Sequence, residues 1–85
     1  MNVSIQWLCE HAGIVRIHPH GHHFGGDYHW HCTIERVGPT AVLHGALIGP
    51  GHKGRMHIAV ALRAEGFTKV QWERKPKGKL VEFDI

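Results

Sequence analysis

A glycine-rich, basic stretch occupies residues 49–55, with the sequence GPGHKGR. The apolar run before it, 40–48, is typical of a buried strand, and the segment after it carries apolar residues at helical spacing. Such a turn presents backbone N–H groups at the start of a helix, beside basic side chains. The stretch therefore predicts a site for phosphate or another anion, formed by Gly51, His52, Lys53, Gly54 and Arg55. A plain strand-to-helix turn is the alternative.

Histidine is concentrated between residues 18 and 31, which hold six of the ten histidines. Alternate residues of paired strands share one face, so their imidazoles could converge on zinc, nickel or copper. The predicted ligands are His18, His20, His22, His29 and His31. Two alternatives stay open. One is a polar loop with only incidental metal affinity, and the other is a surface that gains charge near pH 6.5.

Three polar residues are candidates for a catalytic base: His31, Glu35 and His44. They fall on predicted strands, where any of them could act as a general base. No nucleophile and base stand at a diagnostic spacing, so structural roles for these three residues are the alternative.

Basic charge is concentrated in the C-terminal part of the chain. Residues 1–52 hold two Arg against three acidic residues, a net −1, whereas residues 53–85 hold eight Lys or Arg against four acidic residues, a net +4. The basic part is therefore the candidate for anionic partners. A basic cluster surrounds the predicted turn 76–78, beside Trp72, and could contact the phosphates of nucleic acid. Alternatively, its charges could keep an edge strand from pairing with other chains. The cluster consists of Arg74, Lys75, Lys77 and Lys79.

The 85 residues predict one domain, 1–85, without disulfides, because two cysteines do not form a framework. Cys9 and Cys32 both lie in segments that look buried, so both are expected to be reduced core thiols. The chain has neither a recognisable signal peptide nor a run of about 18 apolar residues. We therefore expect an intracellular, cytoplasmic protein without a membrane segment.

The periodicity predicts an α+β domain of order α-β-β-β-α-β-β, with two helices against a mostly antiparallel sheet. Ser4 would cap a first helix, whose apolar positions 5, 8, 9 and 12 follow helical spacing, and Gly13 would end it. The second helix would end at a left-handed Gly66, with Phe67 against Leu62 in a Schellman motif. Strands are predicted at 14–18, 28–36, 40–48, 69–73 and 80–84.

This order, with a glycine-rich basic turn before a helix and then a strand beginning Gly-Phe-Thr-Lys-Val, resembles the central core of the GNAT acetyltransferase superfamily over roughly residues 28–74. The resemblance implies that Gly51, His52, Lys53, Gly54 and Arg55 hold the pyrophosphate of acetyl-CoA or CoA. It also implies N-acetyl transfer, with a homodimer supplying the missing walls of the acceptor site. In its compact size and tail the chain also resembles small proteins of phages and prophages.

Three functions follow from the sequence. The first is a small binding or accessory protein whose glycine-rich turn receives a phosphate-bearing small molecule or an acidic protein surface. The second is a minimal acetyl-CoA-dependent N-acyltransferase, and the third is a histidine-rich metal-binding protein.

Overall fold

The computed structural model describes residues 2–18, 30–45, 51–74 and 79–85. These residues form six strands and one helix. The elements are β1 (Asn2–Trp7), β2 (Ala12–His18), β3 (Trp30–Val37), β4 (Thr40–His44), α1 (Gly51–Ala64), β5 (Lys69–Arg74) and β6 (Lys79–Asp84).

The six strands form one mixed sheet in the order β1-β2-β3-β4-β5-β6. Neighbouring strands are antiparallel except β4 and β5, which run parallel with Thr40 opposite Lys69. A parallel pair needs a crossover connection, and α1 lies between these two strands in the chain. α1 is 14 residues long, and no helix in the described ranges has the length and apolar content to cross a membrane.

The predicted first helix is wrong, and so is the two-helix fold class. Residues 2–7 and 12–18 form an antiparallel hairpin, with Ile5 opposite Val15. Val3, Ile5 and Trp7 alternate with polar residues and pack against the core. The chain therefore follows this period of two, which is typical of a strand, and not the helical spacing of residues 5, 8, 9 and 12. Leu8 is exposed in the connecting turn, and Ser4 lies in mid-strand rather than at a helix cap.

Gly13 has a different role from the predicted helix end. It lies buried in β2 opposite Trp7, and its φ is not in the positive region. A Cβ at this position would collide with the carbonyl oxygen of Gln6 and stand 3.1 Å from the Cα of Trp7. Glycine is therefore needed here for the close approach of β1.

The second predicted helix and its end are confirmed. Gly66 has a φ of 93°, the Phe67 N–H donates to the Leu62 carbonyl at 3.1 Å, and the Gly66 N–H donates to the Arg63 carbonyl at 3.0 Å. This is the hydrogen-bond pattern of a Schellman motif. The β5–β6 hairpin is also antiparallel, as the sequence predicts.

One face of the sheet forms the core with α1. The register places most of the apolar side chains of the strands on this face, which we call the helix face, and Ile58 and Leu62 of α1 pack on it. The buried core consists of Val15, Ile17, Cys32, Ile34, Ala41, Leu43, Ile58, Leu62, Phe67 and Val70. The other face, here the polar face, carries Ser4, Gln6, Arg16, His18, His31, Thr33, Glu35, Thr40, His44, Lys69, Gln71 and Glu82.

Candidate functional site: a cleft beside helix α1

A cleft of about 450 Å³ opens on the helix face between α1 and the β5–β6 hairpin. It exists because α1 approaches β1 at one edge of the sheet more closely than it approaches β5 or β6 at the other. The β5–β6 end of the helix face is thus left partly open, and Phe83 there remains 47% exposed. Ligand sites are most often concave and apolar with a few polar groups, and this cleft has that character.

Two stacked aromatic rings form the floor of the cleft. The ring centroids of Trp72 on β5 and Phe83 on β6 are 4.7 Å apart, and their planes differ by 13°. Phe83 pairs with Val70 in the sheet register, so Trp72 and Phe83 are diagonal neighbours on one face. Both rings line the cleft, so the pair gives this part of it an apolar, aromatic surface.

One side of α1 forms the facing wall. Seven residues of α1 line the cleft, and at about 100° per residue they all fall on one side of the helix. Two are arginines and one is a histidine, and the full set is His52, Arg55, Met56, Ile58, Ala59, Leu62 and Arg63. Asp84 also lines the cleft, but its carboxylate is 3.9 Å from the ammonium of Lys69, its partner on β5, which belongs to the polar face. Among the described residues that line the cleft, basic groups therefore outnumber acidic groups.

All five residues of the predicted anion site lie at the start of α1. Gly51, with a φ of 69°, opens the helix, and Gly54 is buried on its inner side. His52 and Arg55 line the cleft, whereas Lys53 is not among its lining residues. Lys53 and Arg55 are two positions apart, so about 200° of helical rotation separates their side chains. The structure brings His52 and Arg55 to one site and directs Lys53 elsewhere.

The helix start adds a favourable field for an anion. The first-turn N–H groups have no partner within the helix, and aligned peptide dipoles give this end roughly half a positive charge. The first turn of α1 contains no acidic residue to neutralise that charge. The dipole and the two cleft-lining basic side chains act at the same end of α1.

The three candidate catalytic residues lie on the polar face. Glu35 on β3 and His44 on β4 come together, with Oε1 and Nε2 3.4 Å apart, and both side chains are more than half exposed. His31 is exposed and stands opposite Arg16 of β2. The sheet therefore separates these candidates from the cleft and from Arg55.

Two of the five predicted metal ligands lie in described residues, and the other three, His20, His22 and His29, lie outside them. His18 is 1% exposed, and its Nε2 is hydrogen-bonded to the Ser4 hydroxyl at 2.6 Å. His31 lies on the same face of the sheet, opposite Arg16, which is two residues before His18 on β2. Among the described residues, no three His, Cys, Asp or Glu side chains form a metal-binding group.

The cysteines differ in their surroundings. Cys32 is buried in the core, where desolvation raises the pKa of its thiol from 9.0 to about 12. Cys9 lies exposed in the β1–β2 turn, so the prediction of a second core thiol is wrong. Cys9 is a free thiol at the surface, and Cys32 remains protonated in the core.

The cleft is not evident from the sequence. Trp72 shares the apolar side of β5 with Val70, as alternation along the strand predicts, whereas no sequence signal was read at Phe83, Met56 or Arg63. The available signals were the spacing of Arg55, Ala59 and Arg63 along one helix side and the alternation of Val81 and Phe83. The suggested nucleic-acid cluster, at 74, 75, 77 and 79, lies outside the residues whose side chains are described.

Comparison with models of protein families, with curated proteins and with solved structures finds no match for this chain.

Proposed function

We propose that this chain is a small binding protein that takes a phosphate-bearing ligand in the cleft, with the anion at the start of α1. The observation that carries the proposal is the presence of His52 and Arg55 on the wall of a cleft of about 450 Å³. Small-molecule sites typically have roughly 300–1,000 Å³. The cleft therefore has both the size and the charge that such a ligand requires.

Arg55 is the residue to which we assign most of the anion affinity. A guanidinium donates two parallel N–H bonds to a phosphate, and the helix dipole reinforces the attraction. His52 adds a second donor from the same side of the helix. The two free thiols suit a reducing compartment, which supports the cytoplasmic location that we propose.

The placement of the candidate catalytic residues favours binding over acyl transfer. A base that removes a proton from an amine must lie within hydrogen-bond reach of it. Glu35 and His44 lie on the polar face, and the ligand would sit on the helix face. The resemblance to the GNAT superfamily remains a proposal, and it makes CoA and acetyl-CoA informative probes of the cleft.

The test is an amide-resolved NMR titration of metal-free protein with pyrophosphate, CoA and acetyl-CoA. We expect shifts centred on residues 51–55 and on the Trp72 indole N–H, at sub-millimolar concentrations for the two CoA species. Arg55→Ala should weaken binding about tenfold or more, the loss expected for a charge-assisted hydrogen bond. The absence of shifts at millimolar concentrations of all three probes would overturn the proposal.

Lys53→Ala is the matched control. It removes one positive charge from the same turn of the same helix, but Lys53 does not line the cleft. We expect its effect on affinity to be less than about threefold, since only long-range, salt-screened attraction is lost. Equal losses from Lys53→Ala and Arg55→Ala would show that net charge alone attracts the anion.

A further inference from the structure

We infer that the ligand carries a planar aromatic ring beside its anionic group, and that this ring lies against Phe83 on the floor of the cleft. The inference rests on the proposed function, because it assigns the second half of the ligand that Arg55 holds. Its own evidence is the stacked ring pair of Trp72 and Phe83, of which Phe83 is exposed and Trp72 is half-buried.

The floor of the cleft is suited to a flat group. Phe83 is 47% exposed although it is a large apolar residue, and the Trp72 ring lies nearly parallel to it, within 13°. A ligand ring placed on this pair would extend an existing stack. Offset stacking contributes about 0.5–1.5 kcal/mol beyond the burial of area. A flat aromatic ring therefore gains more from this surface than an aliphatic group of equal size.

The α1 side of the cleft can also contact such a ring. Met56 of α1 lines the cleft and is 57% exposed. A methionine side chain is flexible and makes favourable contacts between its sulfur and an aromatic ring. Met56 is the residue that follows Arg55, so one turn of α1 presents a cation and an adaptable apolar contact to the same ligand. The ring would thus lie between Met56 and Phe83.

The charges around the cleft complete the description of the ligand. Among the described residues that line it, His52, Arg55 and Arg63 stand against one acidic residue, Asp84. This excess of basic side chains favours an aromatic phosphate or carboxylate over an uncharged aromatic compound. The ligand class is therefore a one- or two-ring aromatic anion.

The test compares four small probes in the same NMR titration: phenyl phosphate, cyclohexyl phosphate, inorganic phosphate and phenol. We expect phenyl phosphate to bind about threefold to tenfold more tightly than cyclohexyl phosphate, the difference that ring stacking provides. Inorganic phosphate should bind more weakly than either. Intermolecular NOEs should connect the phenyl protons with the Met56 methyl group and the Phe83 ring.

Variants separate the two halves of the site. Phe83→Leu should abolish the preference for phenyl over cyclohexyl phosphate and leave the affinity for inorganic phosphate unchanged. Leu8→Ala is the control, since Leu8 is an exposed apolar residue of the β1–β2 turn that does not line the cleft. If Phe83→Leu fails to fold, the NOEs from phenyl phosphate to the Met56 methyl group in the unaltered protein decide the question.

The outcomes distinguish the two proposals. Equal affinity for phenyl and cyclohexyl phosphate, with Arg55-dependent binding of both, would overturn the aromatic ligand and support the anion site. Phenol binding as tightly as phenyl phosphate, without any effect of Arg55→Ala, would overturn the anion site and support the aromatic floor. Absence of binding by all four probes would overturn both proposals.

Discussion

The guanidinium carbon of Arg36 lies 4.6 Å from the ring centroid of Trp7. The two residues belong to β3 and β1, which are separated in the sheet by β2. The same guanidinium lies 4.7 Å from the ring of Phe67, just after α1, and the two ring centroids are 6.2 Å apart. One cation therefore joins the edge strand, an inner strand and the end of the helix.

We predict that Arg36→Met lowers the free energy of unfolding by about 1–2 kcal/mol, the range for a partly desolvated cation–π contact. Arg36→Lys should lose part of that amount, because an ammonium cannot stack as a planar guanidinium does. Urea denaturation followed by circular dichroism measures both effects. Arg63→Met, at an exposed arginine of α1, is the control. Equal losses at the two sites would contradict the special role of Arg36.

Gly13→Ala should destabilise the protein by about 1–3 kcal/mol, the usual cost of overpacking a well-packed region. The added methyl group would meet the backbone of Gln6, which cannot rotate away as a side chain could. The control is Gly38→Asn in the β3–β4 turn, where a Cβ would meet no atom within 4 Å and φ is 58°. Asparagine tolerates this left-handed conformation, so its effect should be small. A neutral Gly13→Ala would show that β1 does not pack as closely as described.

The two cysteines should react with thiol reagents at very different rates. Cys9 is exposed, whereas Cys32 is buried with a raised pKa, and the thiolate is the reactive form. We expect one rapidly labelled thiol per native chain with iodoacetamide at pH 8, and two after denaturation. Cys9→Ser should remove the rapid reaction. Rapid labelling of that variant would place Cys32 within reach of solvent.

Stability should decline with rising pH in a window set by Cys32. Its pKa is raised from 9.0 to about 12 on folding, so the unfolded chain loses the thiol proton first. The contribution of Cys32 is therefore fully present below pH 9 and is lost between about pH 9 and pH 12. Denaturation curves of the unaltered protein and of Cys32→Ala, measured across this window, should converge as pH rises. Parallel curves would contradict the prediction.

Glu35→Gln and His44→Ala should each change the free energy of unfolding by less than about 0.5 kcal/mol, because the pair is exposed. Both variants, together with His31→Ala, should leave pyrophosphate affinity within about twofold, the effect of screened charges on the far side of the sheet. The same NMR titration measures this. A large loss of affinity would mean that the polar face contributes to binding.

Elements with local signals could be predicted from the sequence. The Schellman end of α1 depends on Gly66, Phe67 and Leu62, which are close in the chain, and the β5–β6 hairpin follows from alternation around a short turn. β1 could not be assigned in this way. Its six residues fit both a period of two and a helical period, and only the pairing with β2 decides between them.

The candidate site was predictable in part, for a similar reason. The sequence indicated that His52 and Arg55 lie at the start of a helix. A glycine-rich basic turn followed by apolar residues at helical spacing is typical of a helix N-terminus that binds an anion. It did not indicate that the β5–β6 end of the sheet stays open, because this depends on where α1 lies across the strands. That placement also determines why Arg55, rather than Lys53, lines the cleft.

The parallel pairing of β4 with β5 also constrains how the chain folds. Thr40 and Lys69 are partners although 29 positions separate them, whereas β1 to β4 are joined by antiparallel pairs of neighbouring strands. Closing the longer loop costs more chain entropy, so the β4–β5 pair should form late. The cleft has one wall on α1 and its floor on β5 and β6, and it is therefore complete only after that step. A ligand bound there should slow unfolding and leave the folding rate nearly unchanged.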